Sequence, residues 1–204
     1  MMARRKDKEP IAMANMEDYQ FTADWFGANI PNWQRWFEGL AGQPDIRFLE
    51  IGCYEGRSTV WLLGNVLTDE TARIECIDVF GSGHAGDYEE RFDHNIKTAL
   101  GQKKVKKLKG PSQELLRKLK LYSYDVVYID GSHTAPDVLE DAVLSFRLLK
   151  PGGLLVFDDY MWNAFPDPLL VPRLAIDAFL QLYEHYYDLL HREYQVAVRK
   201  RKSA

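Results

Sequence analysis

Phe48-Leu49-Glu50-Ile51-Gly52-Cys53-Tyr54-Glu55-Gly56 is the stretch that decides the fold. An apolar run carrying one acid passes into a glycine-bounded turn, and a helical pattern starts near Ser58. That is the order strand, tight turn, helix. A second strand, Arg73 to Val79 in a run that opens at Ala72, closes on Asp78. In an open parallel sheet, ligands bind at the carboxyl ends of the strands. Glycines there let the backbone approach a ligand, and an acid ending the second strand can accept hydrogen bonds from a ribose diol. The stretch therefore points to a nucleoside-type cofactor.

The turn narrows the choice. A dinucleotide site wants Gly-x-Gly-x-x-Gly, whose middle glycine makes room for the pyrophosphate. Here the spacing is Gly52-x-x-x-Gly56, with Tyr54 where that glycine would sit. A phosphate-binding loop needs Lys-Ser or Lys-Thr after its last glycine, and Gly56 is followed by Arg57-Ser58.

Outward from this stretch, strands and helices alternate, which predicts a parallel sheet with helices on both faces. Strand one covers about 47–51 and its helix 58–67. Strand two (73–79) is followed by the loop Gly81 to Gly86 with His84, either a lid or a plain flexible loop, and by a helix over 88–100. Strand three (105–109) leads through Gly110-Pro111 to a helix over 112–119. Strand four (124–130) is apolar enough to be central. A helix over 135–149, the turn Pro151-Gly152-Gly153 and strand five (154–158) follow. After a proline-rich loop come a helix over 174–183 and two short strands, 187–190 and 195–199, connected tightly enough for an antiparallel hairpin. Upstream, Trp33, Trp36, Phe37 and Leu40 follow helical spacing after Pro31. This segment, residues 16–45, is expected to form a helical cover on a core spanning 46–200. Residues 1–15 are charged and aperiodic and are expected to be disordered.

The 204 residues fit one domain, and the net charge of −4 gives no global electrostatic case for a nucleic-acid partner. The basic runs at Lys103–Lys109 and Arg199–Lys202 lack interleaved aromatics and read as solvated edges. The two cysteines, Cys53 and Cys76, show neither a disulfide framework nor metal spacing. A reduced, cytoplasmic protein with no membrane association is the expectation, since no apolar run approaches a membrane span and the amino terminus lacks a signal pattern.

A second constellation carries the chemistry. Strand four ends Tyr128-Ile129-Asp130-Gly131-Ser132-His133, and strand five ends Val156-Phe157-Asp158-Asp159-Tyr160. Both ends share a sheet edge with Gly52 and Asp78. Clustered carboxylates repel unless a cation sits among them, and hard oxygen ligands suit Mg²⁺. A hydroxyl on such an ion loses its proton more easily, and His133 is placed to take it as general base. Each residue also has a plainer use: Asp130, Asp158 and Asp159 as turn or cap residues, and His133 as a structural histidine.

Glu50-x-Gly52-x-x-x-Gly56 with Asp78, and then Asp130-Gly-Ser-His133-Thr134 with Leu148-Leu149-Lys150-Pro151-Gly152-Gly153 and Val156-Phe157-Asp158-Asp159, resemble class I S-adenosylmethionine-dependent methyltransferases. Within that class the chain is most similar to the macrocin and other antibiotic-sugar O-methyltransferases and to cephalosporin-biosynthesis methyltransferase-like proteins. Catechol-type enzymes have a similar acid arrangement but a lysine near the position of His133. The resemblance covers about residues 48–200. It implies a Rossmann-like, mostly parallel seven-stranded sheet with a C-terminal antiparallel hairpin. It implies that Glu50, Gly52, Gly56 and Ser58 form the methionine end of the cofactor site. Asp78 and Val79 would sit at the ribose, Ser112 and Gln113 near adenine, and Asp130 beside the cofactor. Asp130, Asp158 and Asp159 would bind Mg²⁺, with His133 as base. The implied reaction is O-methylation of a small hydroxylated metabolite, a sugar or a natural product. Three rivals stand beside it: a metal-independent methyltransferase, a non-catalytic cofactor-binding protein, and a nicotinamide-dependent dehydrogenase that Tyr54 disfavours. The acceptor pocket is expected from the aromatic amino-terminal segment and the 161–172 loop. The same aromatic segment offers a surface for a second copy, as in a homodimer.

Overall fold

The structure is a computed structural model that describes residues 16–81 and 88–201. Two expectations, the disordered residues 1–15 and all but the first residue of the Gly81–Gly86 loop, lie outside the described residues.

The sheet has seven strands in the order β3-β2-β1-β4-β5-β7-β6. These are β1 (Arg47–Ile51), β2 (Arg73–Asp78), β3 (Val105–Lys109), β4 (Tyr124–Ile129), β5 (Leu149–Phe157), β6 (Tyr187–Arg192) and β7 (Val196–Lys200). The first five are parallel to one another, and β7 pairs antiparallel with both β5 and β6. The chain order reverses between β1 and β4, where two strands that are not consecutive lie side by side and a crevice opens at their carboxyl ends. The helices are α1 (Ile30–Phe37), α2 (Arg57–Asn65), α3 (Tyr88–Thr98), α4 (Ser112–Leu116), α5 (Ala135–Leu148) and α6 (Pro172–Leu182).

Both faces of the central strands are apolar, so successive residues feed opposite cores. Phe48, Val126 and Val156 pack with Trp33, Phe37, Leu62 and Phe92 on one side. Leu49, Val127 and Leu155 pack with Val138, Phe146 and Phe179 on the other. Trp33 is wholly buried, meets Phe26, Phe37 and Tyr128 edge-on, and donates from its indole to Gln195 Oε1 at 3.1 Å.

Element ends differ from the sequence reading for local reasons. Pro111 fixes an extended residue before α4, which starts at Ser112 as expected but stops at Leu116. Pro172 suits a first turn, which starts α6 two residues before the expected Leu174. The Pro151-Gly152-Gly153 turn lies within β5, where pairing with β4 shifts register between Tyr124 and Val126. The expected basic edge of β3 is neutralised: Lys106 pairs with Glu75, Lys107 with Glu89 and Asp93, and Lys109 with Glu89. Among the described residues no helix is long and apolar enough to cross a membrane.

Candidate active site

A cavity of about 1140 Å³ opens along the carboxyl ends of β1, β2 and β4. That is ample for a nucleoside ligand and a small second molecule together. The glycine turn forms one wall. Gly52, at φ 79°, passes so close to β4 that a Cβ there would lie 2.0 Å from the Asp130 carbonyl oxygen. Asp78 holds the turn: its Oδ2 accepts from the backbone N–H of Cys53 (3.0 Å) and Tyr54 (2.9 Å), and Oδ1 accepts from Phe80 N–H (2.9 Å). Val79 is exposed at the rim, and Ser112 and Gln113 line the far wall.

Glu50 and Gly56, both expected to contact the cofactor, stand behind this wall and not on it. Glu50 is buried and accepts from the hydroxyls of Ser58 and Thr59. Burial pushes its carboxyl up to about 7, against the pull of those donors. Ser58 does line the cavity, but its hydroxyl proton is spent on Glu50.

The acids sort into two kinds. Asp158 is buried and saturated. Its Oδ2 accepts from Asn29 Nδ2 (3.1 Å), Gln195 Nε2 (2.9 Å) and the Tyr128 hydroxyl, and its Oδ1 accepts from Asp159 N–H (2.8 Å). Asp130, His133 and Asp159 instead bring one ligand atom each within 4.8 Å of one another. Of the three acids expected to bind Mg²⁺, Asp130 and Asp159 stand beside the imidazole of His133, and Asp158 is held by Asn29, Gln195 and Tyr128. His133 Nε2 lies 3.0 Å from Asp159 Oδ2 and 3.9 Å from Asp130 Oδ1. These carboxylates push the imidazole up to about 10, against its partial burial. The Asp159 carboxyl is held below its usual range; burial alone would raise it, but the His133 contact prevails. Burial, with Asp158 and Asp159 as like-charged neighbours, drives Asp130 upward. The Tyr128 hydroxyl bridges Asp130 and Asp158, with a single proton to share between them. Asp159 sits at φ 58°, a left-handed position that turns its side chain back toward His133.

The amino-terminal segment covers the mouth. Thr22 donates from N–H to Glu55 Oε2 (2.7 Å) and from its hydroxyl to Oε1 (2.8 Å), while Gln20 exchanges hydrogen bonds with Asn95. Trp25, three-quarters exposed, lies 5.3 Å from the ring of Tyr54. Across the cavity Trp162 lies 4.8 Å from the His133 ring, backed by Phe165. The sequence reading missed Tyr128, Asn29, Gln195 and Arg57. Only Tyr128 had a local signal: two residues before Asp130 on one strand, it shares that residue's face.

Residues 49–160, more than half of the chain, match the family model described as a methyltransferase domain. The chain belongs to that family. A relative from Mycobacterium sp. (strain JLS), named as an O-methyltransferase by inference, is 33% identical over 108 residues, which are 53% of this chain and 46% of the relative. The chain thus spans about half the length of the curated relatives it matches. Among solved structures it resembles the Bacillus cereus O-methyltransferase in complex with S-adenosylhomocysteine (TM-score 0.64, 18% identity, 88% of this chain and 84% of that one). It also resembles the MycE methyltransferase of mycinamycin biosynthesis, solved with Mg and S-adenosylhomocysteine (TM-score 0.60, 19% identity, 85% and 49%). At these identities the two structures establish the fold.

Proposed function

We propose that the chain is an S-adenosylmethionine-dependent O-methyltransferase acting, with Mg²⁺, on a small hydroxylated metabolite such as a sugar or natural product. The observation that carries this reading is a single cavity whose wall holds both the glycine turn with Asp78 and the cluster Asp130–His133–Asp159. The complexes of the B. cereus enzyme and MycE support the choice of cofactor and of metal.

Asp130 and Asp159, both partly exposed to the cavity beside His133, fit a divalent cation of the Mg²⁺ type, which keeps open positions for water and substrate oxygens. Bound there, such an ion lowers the pKa of an acceptor hydroxyl and fixes its oxygen. The chain's own residues do the rest. Asp158, Asn29, Gln195 and Tyr128 hold the cluster rigid, and Asp159 and Asp130 orient the His133 ring. The neutral form of His133 takes the acceptor's proton at Nε2. The freed oxygen attacks the sulfonium methyl carbon: an O–C bond forms, the C–S bond breaks, and S-adenosylhomocysteine leaves. Alignment in a walled cavity supplies most of the acceleration.

The test is transfer of a labelled methyl group from S-adenosylmethionine to a panel of hydroxylated acceptors, with and without chelator, in native protein and in Asp159→Asn. Transfer abolished by chelator and restored by Mg²⁺ is the expected result. Transfer indifferent to chelator moves the reading to the metal-independent enzyme. Cofactor binding without transfer to any acceptor moves it to a non-catalytic binding protein.

A further inference from the structure

Arg57 is the only lysine or arginine among the described residues lining the cavity; apart from His133 and the Cys53 thiol, the ionisable acids and bases of the wall are carboxylates and tyrosines. Its guanidinium is poorly matched. The Nε nitrogen is buried and has no hydrogen-bond partner. Among the described residues its one ion-pair partner is Asp24, with Nη1 to Oδ2 at 3.4 Å, which is long for a charge-assisted bond. Asp24 is half-exposed, and its other oxygen is taken by the N–H groups of Phe26 and Gly27. One face of the guanidinium lies on the Phe21 ring, 4.5 Å from its centroid, which fixes the plane of the fork. Arg57 is also the first residue of α2, whose N-cap Gly56 offers no side-chain acceptor, so the positive end of the helix points the same way.

A planar fork with a buried, unmatched N–H wants a carboxylate. On the reading proposed above, the cofactor carries one: the α-carboxylate of its methionine part. Elsewhere in this cavity that anion would meet Asp78, Asp130, Asp158 or Asp159 and be repelled. The ammonium and sulfonium suit the acids, and the carboxylate does not. The Ser58 hydroxyl, otherwise placed to donate to it, is hydrogen-bonded to Glu50. We infer that Arg57 binds the α-carboxylate of S-adenosylmethionine, displacing its loose pairing with Asp24.

The test is calorimetric titration with two ligands, S-adenosylhomocysteine and its decarboxylated analogue, on native protein, Arg57→Met and Arg57→Lys. Loss of a charge-assisted pair predicts S-adenosylhomocysteine binding weakened about ten- to a hundredfold in Arg57→Met, with the decarboxylated analogue changed less than about twofold. Arg57→Lys keeps the charge without the fork. It recovers part of the loss for S-adenosylhomocysteine alone, and it carries the test if the methionine variant does not fold. Equal weakening of both ligands assigns Arg57 to wall structure and overturns the inference. So does unchanged S-adenosylhomocysteine binding. Native protein that binds neither ligand fails at an earlier and distinguishable step: it overturns the cofactor reading and the Arg57 assignment with it.

Discussion

Gly52→Ala tests the close approach on which the cavity is built. The added Cβ would lie 2.0 Å from the carbonyl oxygen of Asp130 and 2.4 Å from its carbon, both backbone atoms. No side-chain rotation relieves that overlap; β1 and β4 must part at their ends. They are tied there by Asp130 N–H to Ile51 O at 2.8 Å, with Gly52 N–H bound to Ile77 O at 2.8 Å on the other side. The left-handed φ of 79° adds a conformational cost. Taking about 1–2 kcal/mol for the conformation and about 1–3 kcal/mol for the overpacking, the variant loses about 2–5 kcal/mol of the roughly 5–15 typical of a domain. Gly42→Ala is the internal control. Gly42 has a similar φ of 71°, but its Cβ would meet nothing nearer than Thr68 Oγ1 at 3.5 Å. It should lose only the conformational part. Urea unfolding of both variants measures the difference, and calorimetry with S-adenosylhomocysteine should show binding lost in Gly52→Ala and kept in Gly42→Ala. Equal destabilisation of the two, or Gly52→Ala within about 1 kcal/mol of native, would refute the reasoning.

Glu50 makes stability depend on pH. Its folded carboxyl, near 7 against an ordinary 4.5, holds a proton that the unfolded chain has released, so its contribution is complete below pH 4.5 and is lost as pH rises through 7. Relative to Glu50→Gln, native protein should lose up to about 3 kcal/mol across that window in urea melts; parallel curves would contradict this. Asp158→Asn puts an amide donor against the Tyr128, Asn29 and Gln195 donors and should cost about 1–3 kcal/mol. Asp159→Asn should instead weaken Mg²⁺ binding at least tenfold in a MgCl₂ titration, and the reverse pattern would reassign the ligands. Lys200, buried, donates from Nζ to the carbonyls of Phe146 in α5 (2.8 Å) and Leu149 at the start of β5 (3.1 Å). Lys200→Met should lower the melting midpoint by about 1–3 kcal/mol equivalent without changing ligand binding, since the residue lies away from the cavity wall.

The sheet was legible because its evidence is local. Apolar runs such as Val126–Ile129 and Leu154–Phe157 declare buried parallel strands, and the glycine turn and acids fall at predictable ends. The roles of individual acids were not legible. Asp158 and Asp159 are neighbours in sequence, yet the left-handed turn at Asp159 sends one inward to Asn29 and Gln195 and the other to His133. Asn29 stands 129 residues from Asp158 and Gln195 lies in the turn before β7, and no period connects either to it. The placement of Glu50 was hidden for a related reason. Its place in the glycine motif suggested ligand contact, but strand alternation turns it inward, away from the turn's open side. Arg57 carried no motif at all; it emerged only when the cavity wall showed an arginine lacking a proper anion.

The most direct measurement is calorimetric titration of S-adenosylhomocysteine into native protein and into Asp78→Ala. The account predicts micromolar binding to the native chain, weakened at least tenfold when the acid that braces the glycine turn is removed. A native protein that gives no binding heat with S-adenosylhomocysteine at any temperature tested, and no shift in melting midpoint, would contradict it.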